Sequence, residues 1–152
     1  MDKYIYDFMA TTIEVARLNP KAPYGAILVY DDKDILLKSV NSAHNHPLMH
    51  GELSVIHELF TKGFDGNFDK LSLYTTAEPC PMCAAAVYWA RIPKVVYGSS
   101  INTLHSLFGR QIQINSLEIF SQTPDFYKCD LIGNIMEAEC NELFFQAKQL
   151  QE

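Results

Sequence analysis

The sequence predicts an α/β protein, a sheet layered with helices, and three observations carry that expectation. After an opening hairpin, strand-like and helix-like segments alternate along the chain. Its 152 residues match one typical domain and leave no room for two sizeable cores, so a single domain over residues 1–152 is expected. Hydrophobic residues make up 48% and charged residues 20%, which is too apolar a balance for a disordered chain.

Residues 2–18 set Tyr4, Ile5, Phe8, Met9, Thr12, Val15 and Ala16 at three-to-four spacing, one face of a helix. Asn19-Pro20 ends it. Residues 24–30 and 34–40 are β-prone runs around the acidic turn Asp31-Asp32-Lys33-Asp34 and predict a hairpin. A polar loop follows over 41–49, holding His44, His46 and Pro47. From 50 to 62, Leu53, Ile56, Leu59 and Phe60 return to helical spacing, and Gly63 supplies the stop. Residues 71–76 predict a third strand. Residues 81–91 predict a helix with Pro81 at its start and Ile92-Pro93 beyond its end, and 94–98 a fourth strand. The pattern is fainter afterwards: a short helix over 102–108, a weak strand over 128–132 and a C-terminal helix over 137–150.

Twelve Lys and Arg against eighteen Asp and Glu give a net charge of −6. After Ser99, Glu118, Asp125, Asp130, Glu137, Glu139, Glu142 and Glu152 face only Arg110, Lys128 and Lys148. Binding to nucleic acid rests on Lys and Arg neutralising phosphates, so a nucleic-acid partner is disfavoured. No run approaches the ~20 apolar residues of a membrane span, and Met1-Asp2-Lys3-Tyr4-Ile5-Tyr6-Asp7 lacks a secretory hydrophobic core. A cytoplasmic protein without membrane contact is the expectation. Four cysteines are too few for a disulfide scaffold, and Cys80 and Cys83, three apart, point to metal or redox chemistry.

Two places concentrate chemistry: His50-Gly51-Glu52 and Pro79-Cys80-Pro81-Met82-Cys83. Each lies where a strand or loop enters a helix, so His50, Cys80 and Cys83 can converge across two neighbouring helix starts. Helix dipoles favour the thiolate forms that bind zinc. Two thiolates and one imidazole suit Zn²⁺ and leave a fourth position where water loses a proton near neutral pH. Glu52, two residues past His50, is rotated off the ligand direction yet stays beside it, placed to move protons. Cys80 and Cys83 alone would also suit a redox pair or half a structural zinc site. A structural site needs a fourth ligand, however, and a redox pair makes no use of His-x-Glu.

With these residues the sequence resembles the zinc-dependent cytidine and nucleobase deaminase superfamily, whose mark is His-x-Glu followed by Pro-Cys-x-x-Cys. The similarity runs from the first helix to about Gly98 and includes Pro23-Tyr24-Gly25-Ala26, Leu73-Tyr74-Thr75-Thr76-Ala77-Glu78-Pro79-Cys80-Pro81-Met82-Cys83 and Tyr88-Trp89-Ala90-Arg91. It implies a three-layer α/β/α cytidine-deaminase-like fold with a mixed central sheet of about five strands. It also implies His50, Cys80 and Cys83 as zinc ligands and Glu52 as acid and base. The activity implied is hydrolytic deamination of a purine nucleobase, guanine foremost, giving xanthine and ammonia. Alternatives are a cytosine, nucleoside or s-triazine deaminase, or a tRNA-specific adenosine deaminase. Tyr88-Trp89-Ala90-Arg91 is most similar to bacterial guanine deaminases, whereas Ser106-Leu107-Phe108-Gly109-Arg110 lacks the acidic pair those enzymes carry there. A homodimer is implied by analogy.

Asn41 corresponds to the family's base-binding Asn. Ala26, His44, Trp89 and Phe108 are further candidates for substrate contact, with Trp89 better suited to core or subunit packing. Cys129 and Cys140 read as small core residues. His57 reads as a solvated group.

Overall fold

The computed structural model describes residues 2–151; Met1 and Glu152, the ends of the expected domain, lie outside the described residues. Helix α1 (Lys3–Ala16) leads into strands β1 (Gly25–Tyr30) and β2 (Asp34–Val40), then α2 (Gly51–Thr61), β3 (Leu71–Ala77), α3 (Pro81–Trp89) and β4 (Lys94–Ser99). Helices α4 (Ile101–Phe108) and α5 (Ser116–Ser121), strand β5 (Asp130–Ile132) and helix α6 (Glu137–Gln151) complete the order. Helix α5 was not anticipated. Its start is nonetheless written locally, because the Asn115 side chain caps it by accepting from the Glu118 N–H at 2.8 Å.

The sheet order is β2-β1-β3-β4-β5. Strands β1 and β2 form the hairpin, β1 is also antiparallel to β3, and β3, β4 and β5 run parallel, so the sheet is mixed. Strand alternation splits the apolar side chains between two faces. Ala26, Leu28, Leu71, Leu73 and Val95 pack with Val55, Ile56 and Leu59 of α2 and Ala84 and Val87 of α3. Ile27, Val29, Tyr74 and Val96 pack on the other face with Met9 and Ile13 of α1 and Cys140 and Leu143 of α6. This is the three-layer α/β/α arrangement. Helices cover both faces, so every residue of β3 is buried and reads as a continuous run rather than an alternating one.

Because β1 is antiparallel to β3, the start of β1, the end of β2 and the end of β3 meet at one edge. Thr76 locks them: its hydroxyl donates to the Pro23 carbonyl at 2.8 Å and accepts from the Gly25 N–H at 3.0 Å. The Asn41 N–H donates to the Tyr24 carbonyl at 2.9 Å, and the Asn19 carboxamide donates to the Asn41 carbonyl at 2.9 Å. Helices α2 and α3 both start at this edge. A third apolar cluster of Ala77, Leu104 and Phe144, backed by Tyr24 and Phe108, packs beside it.

Candidate active site

His50 and Cys80 occupy the N-cap positions of α2 and α3, both with extended backbone and neither with a capping hydrogen bond from its side chain. An N-cap side chain ordinarily accepts from a first-turn N–H. Here the two side chains turn toward each other instead: His50 Nδ1 lies 3.6 Å from Cys80 Sγ and 3.7 Å from Cys83 Sγ. Cys83 sits one turn into α3 and is fully buried. Gly51 permits this approach of the two layers, because a Cβ there would collide with the Tyr24 carbonyl oxygen.

Two zinc bonds of about 2.3 Å to sulfur and about 2.0 Å to nitrogen, held at the tetrahedral angle, leave their outer atoms about 3.5 Å apart. The observed nitrogen–sulfur separations match that spacing, and the three donor atoms lie within 4.8 Å of one another. Electrostatics favours the thiolate at Cys80. Hydrogen bonds from the Cys83 thiol and then from His50 hold Cys80 down to about 4, against the cost of burial, and the same Cys80–Cys83 contact pushes Cys83 up. His50 is pushed up, chiefly by its hydrogen bond to Cys80. The donor set therefore fits Zn²⁺. A bound zinc supplies Lewis acidity that ionises water near neutral pH.

Glu52 lies on the first turn of α2, only 2% exposed, and its Oε1 is buried without a hydrogen-bond partner among the described residues. Burial, followed by the charge of the Cys80 thiolate, pushes its carboxyl up to about 7. An orphaned buried carboxylate oxygen is costly unless something occupies the space beside it. The space is a cavity of about 440 Å³ whose wall includes His50, Glu52 and Cys80, a volume within the range of small-molecule sites. Tyr24 is also on the wall, pushed up to about 12 by burial and then by the charge of Glu52.

Among the residues expected to touch substrate, Asn41 and Phe108 line this cavity. Asn41 is 8% exposed, and its carboxamide makes no hydrogen bond among the described residues, which leaves it free for a ligand. The other three lie elsewhere. Ala26 is fully buried in the sheet, where alternation sends it with Leu28 beneath α2 and α3. His44 is exposed in the 41–50 loop, whose Ala43, Pro47 and Leu48 reach the wall instead. Trp89 is 73% exposed at the far end of α3, about 13 Å of helix beyond Cys80, stacked edge-on against Tyr88 with the Arg91 guanidinium nearby. The wall also holds residues the sequence reading had not singled out as contacts, among them Glu78, Met82, Arg110 and Gln111. Glu78 and Met82 stand inside the Glu78-to-Cys83 motif, so position gave a signal for them. Arg110 stands out in the sequence as one of three bases after Ser99, in a segment without acids.

The fold and this donor set define a zinc-dependent hydrolase of the deaminase class. The sequence matches the family described as cytidine and deoxycytidylate deaminase zinc-binding region over residues 2–99, and the chain belongs to that family. It is similar to the tRNA-specific adenosine deaminase of Buchnera aphidicola, 28% identical over 97% of this chain and 90% of that one. It is 38% identical to the guanine deaminase of Bacillus subtilis, over 53% of this chain and 52% of that one. A solved tRNA:A34 deaminase superposes with a TM-score of 0.74 at 29% identity, covering 90% of this chain and 98% of that one. Hydrolytic deamination dependent on zinc is thus the activity of this chain, with His50, Cys80 and Cys83 as its candidate zinc site.

Proposed function

We propose that the substrate is a free purine base, guanine foremost, released as xanthine and ammonia. The observation that carries this reading is the polarity of the cavity. The wall that carries His50, Glu52 and Cys80 also carries Arg110 and Gln111. Guanine has its amine at C2 and, on the adjoining edge, the O6 and N7 acceptors that a guanidinium fork matches. Adenine offers a donor where guanine offers O6. Leu48, Met82 and Phe108 supply apolar surface for the ring faces, and the net charge of −6 suits a small substrate better than a polyanion.

In this reaction a water oxygen bonds to the amine-bearing carbon, the C–N bond breaks, and a proton travels with the leaving ammonia. Glu52 takes one proton from the water and gives it to the adjacent ring nitrogen, then takes the second from the added hydroxyl and passes it to the leaving amine. Its unpartnered Oε1 and its carboxyl held near neutrality suit both directions of transfer. Asn41 orients the base and Phe108 covers it. A homodimer and a cytoplasmic location belong to the same reading; among the described residues no helix is long and apolar enough to cross a membrane.

The names of the relatives favour a second reading, an adenosine in a tRNA loop turned out into the same cavity. Ammonia release should be measured with guanine, adenine, cytosine, their nucleosides, s-triazines and tRNA. The proposal expects guanine to be turned over fastest. Steeply salt-dependent tRNA binding with release from tRNA alone would replace it by the second reading.

A further inference from the structure

Glu78 is 6% exposed and makes no salt bridge among the described residues, yet both of its oxygens are satisfied. Oε1 accepts from the Ile101 N–H at 2.9 Å, and Oε2 accepts from the Ser116 N–H and hydroxyl, each at 2.7 Å. Ile101 and Ser116 are the first residues of α4 and α5. The carboxyl group therefore sits at two helix N-termini at once, held by three hydrogen bonds from their first residues. Its own N–H donates to the Ser99 carbonyl at 2.7 Å, which fixes its backbone to the end of β4.

Residues 101 and 116 are the two ends of one excursion of the chain. Between them α4 and the segment 109–115 supply Leu104, Phe108, Arg110, Gln111 and Ile112 to the cavity wall. The segment 109–115 contains no regular element, and Ile112 is 63% exposed, so little packing of its own holds it in place. One side chain, two residues before Cys80, pins both ends of that excursion.

We propose that Glu78 is a positioning residue for substrate recognition: by closing the 101–116 excursion at both ends it sets the wall carrying Phe108, Arg110 and Gln111 at its distance from the zinc ligands. This deepens the deaminase reading and rests on it for the kinetic part of its test. Glu78 touches none of the reacting atoms in this scheme. Its loss loosens binding rather than chemistry.

The test compares zinc-loaded wild type with Glu78→Gln, which keeps the shape but turns one acceptor into an NH₂ facing a donor, and with Ser116→Ala, which removes one of the three bonds and keeps the carboxylate. On the base that wild type deaminates fastest, Glu78→Gln should raise KM about tenfold with kcat within about threefold. Zinc content should stay stoichiometric, and amide exchange should accelerate over 109–115 but not in α2 or α3. Ser116→Ala should move KM and exchange the same way by less, and it keeps the proposal testable if Glu78→Gln fails to fold. Unchanged exchange over 109–115 would overturn the clamp. Faster exchange with an unchanged KM would overturn its role in recognition, and joint loss of zinc and kcat would assign Glu78 to the metal loop instead. If wild type turns over none of the bases, the substrate reading fails separately, while the exchange measurement, which needs no turnover, still decides whether Glu78 holds the segment.

Discussion

Gly51 faces the carbonyl oxygen of Tyr24 with no space for a side chain between them. The contact joins the start of α2 to the start of β1, and it is made by backbone on one side, so it cannot yield by a rotamer change. Gly51→Ala should cost about 1–3 kcal/mol of stability and push His50 and Glu52 away from Cys80, lowering zinc affinity. Denaturant unfolding together with metal titration checks both; a variant with wild-type stability and zinc affinity would show that α2 shifts freely.

Glu52→Gln should retain zinc, because the candidate ligands are His50, Cys80 and Cys83, while kcat falls by about a hundredfold to ten-thousandfold, the usual contribution of a positioned proton carrier. Ammonia release normalised to bound zinc is the measurement. Parent activity in a zinc-replete variant would remove Glu52 from the reaction.

Phe108 lines the cavity, whereas Trp89 lies on the outer surface. A ring of this kind covering a bound base is worth roughly 1.5–3 kcal/mol, so Phe108→Ala should raise KM about tenfold or more. Trp89→Ala, at a 73% exposed position outside the cavity, should change KM by no more than about twofold. The reverse order of effects would mean that substrate binds at the far end of α3.

Stability should fall on the alkaline side. Burial pushes Cys140 up to about 12 and Cys129 up to about 11 from an ordinary 9.0, and it pushes Tyr74 and Tyr127 up from 10.0. Each keeps its proton in the folded chain after the unfolded chain has lost it. The unfolded state then binds fewer protons, so stability decreases as pH rises from about 9 toward about 11, by up to about 1.4 kcal/mol per pH unit for each such group. Urea midpoints at about pH 8 and about pH 10 test this; an equal midpoint at both would show that these groups titrate as they do in the unfolded chain.

The metal donors were legible because each is a local feature: a ligand residue at a helix start, reached through a motif of fixed spacing. The layered sheet was legible for the same reason, since periodicity reports one element at a time. The short α5 was written in Asn115-Ser116-Leu117-Glu118, yet fewer than two turns of helix gave no periodicity to read. Substrate contacts were harder. Trp89 lies beside the motif in sequence, but helix geometry carries it to the opposite end of α3, while Ala26 follows the strand pleat into the core.

What the amino-acid order determined by itself is the alternation of elements, the four residues of the reactive cluster and the class of chemistry they support, because spacing along a helix or strand translates directly into direction. Only the tertiary structure decided which residues wall the cavity, since Asn41, Glu78, Phe108 and Arg110 come from separate segments and meet only when β1, β2 and β3 bring their ends to one edge. It also decided that Glu78 faces two helix N-termini rather than the solvent. A buried carboxyl group acquires its partners only once the chain has brought the donors to it.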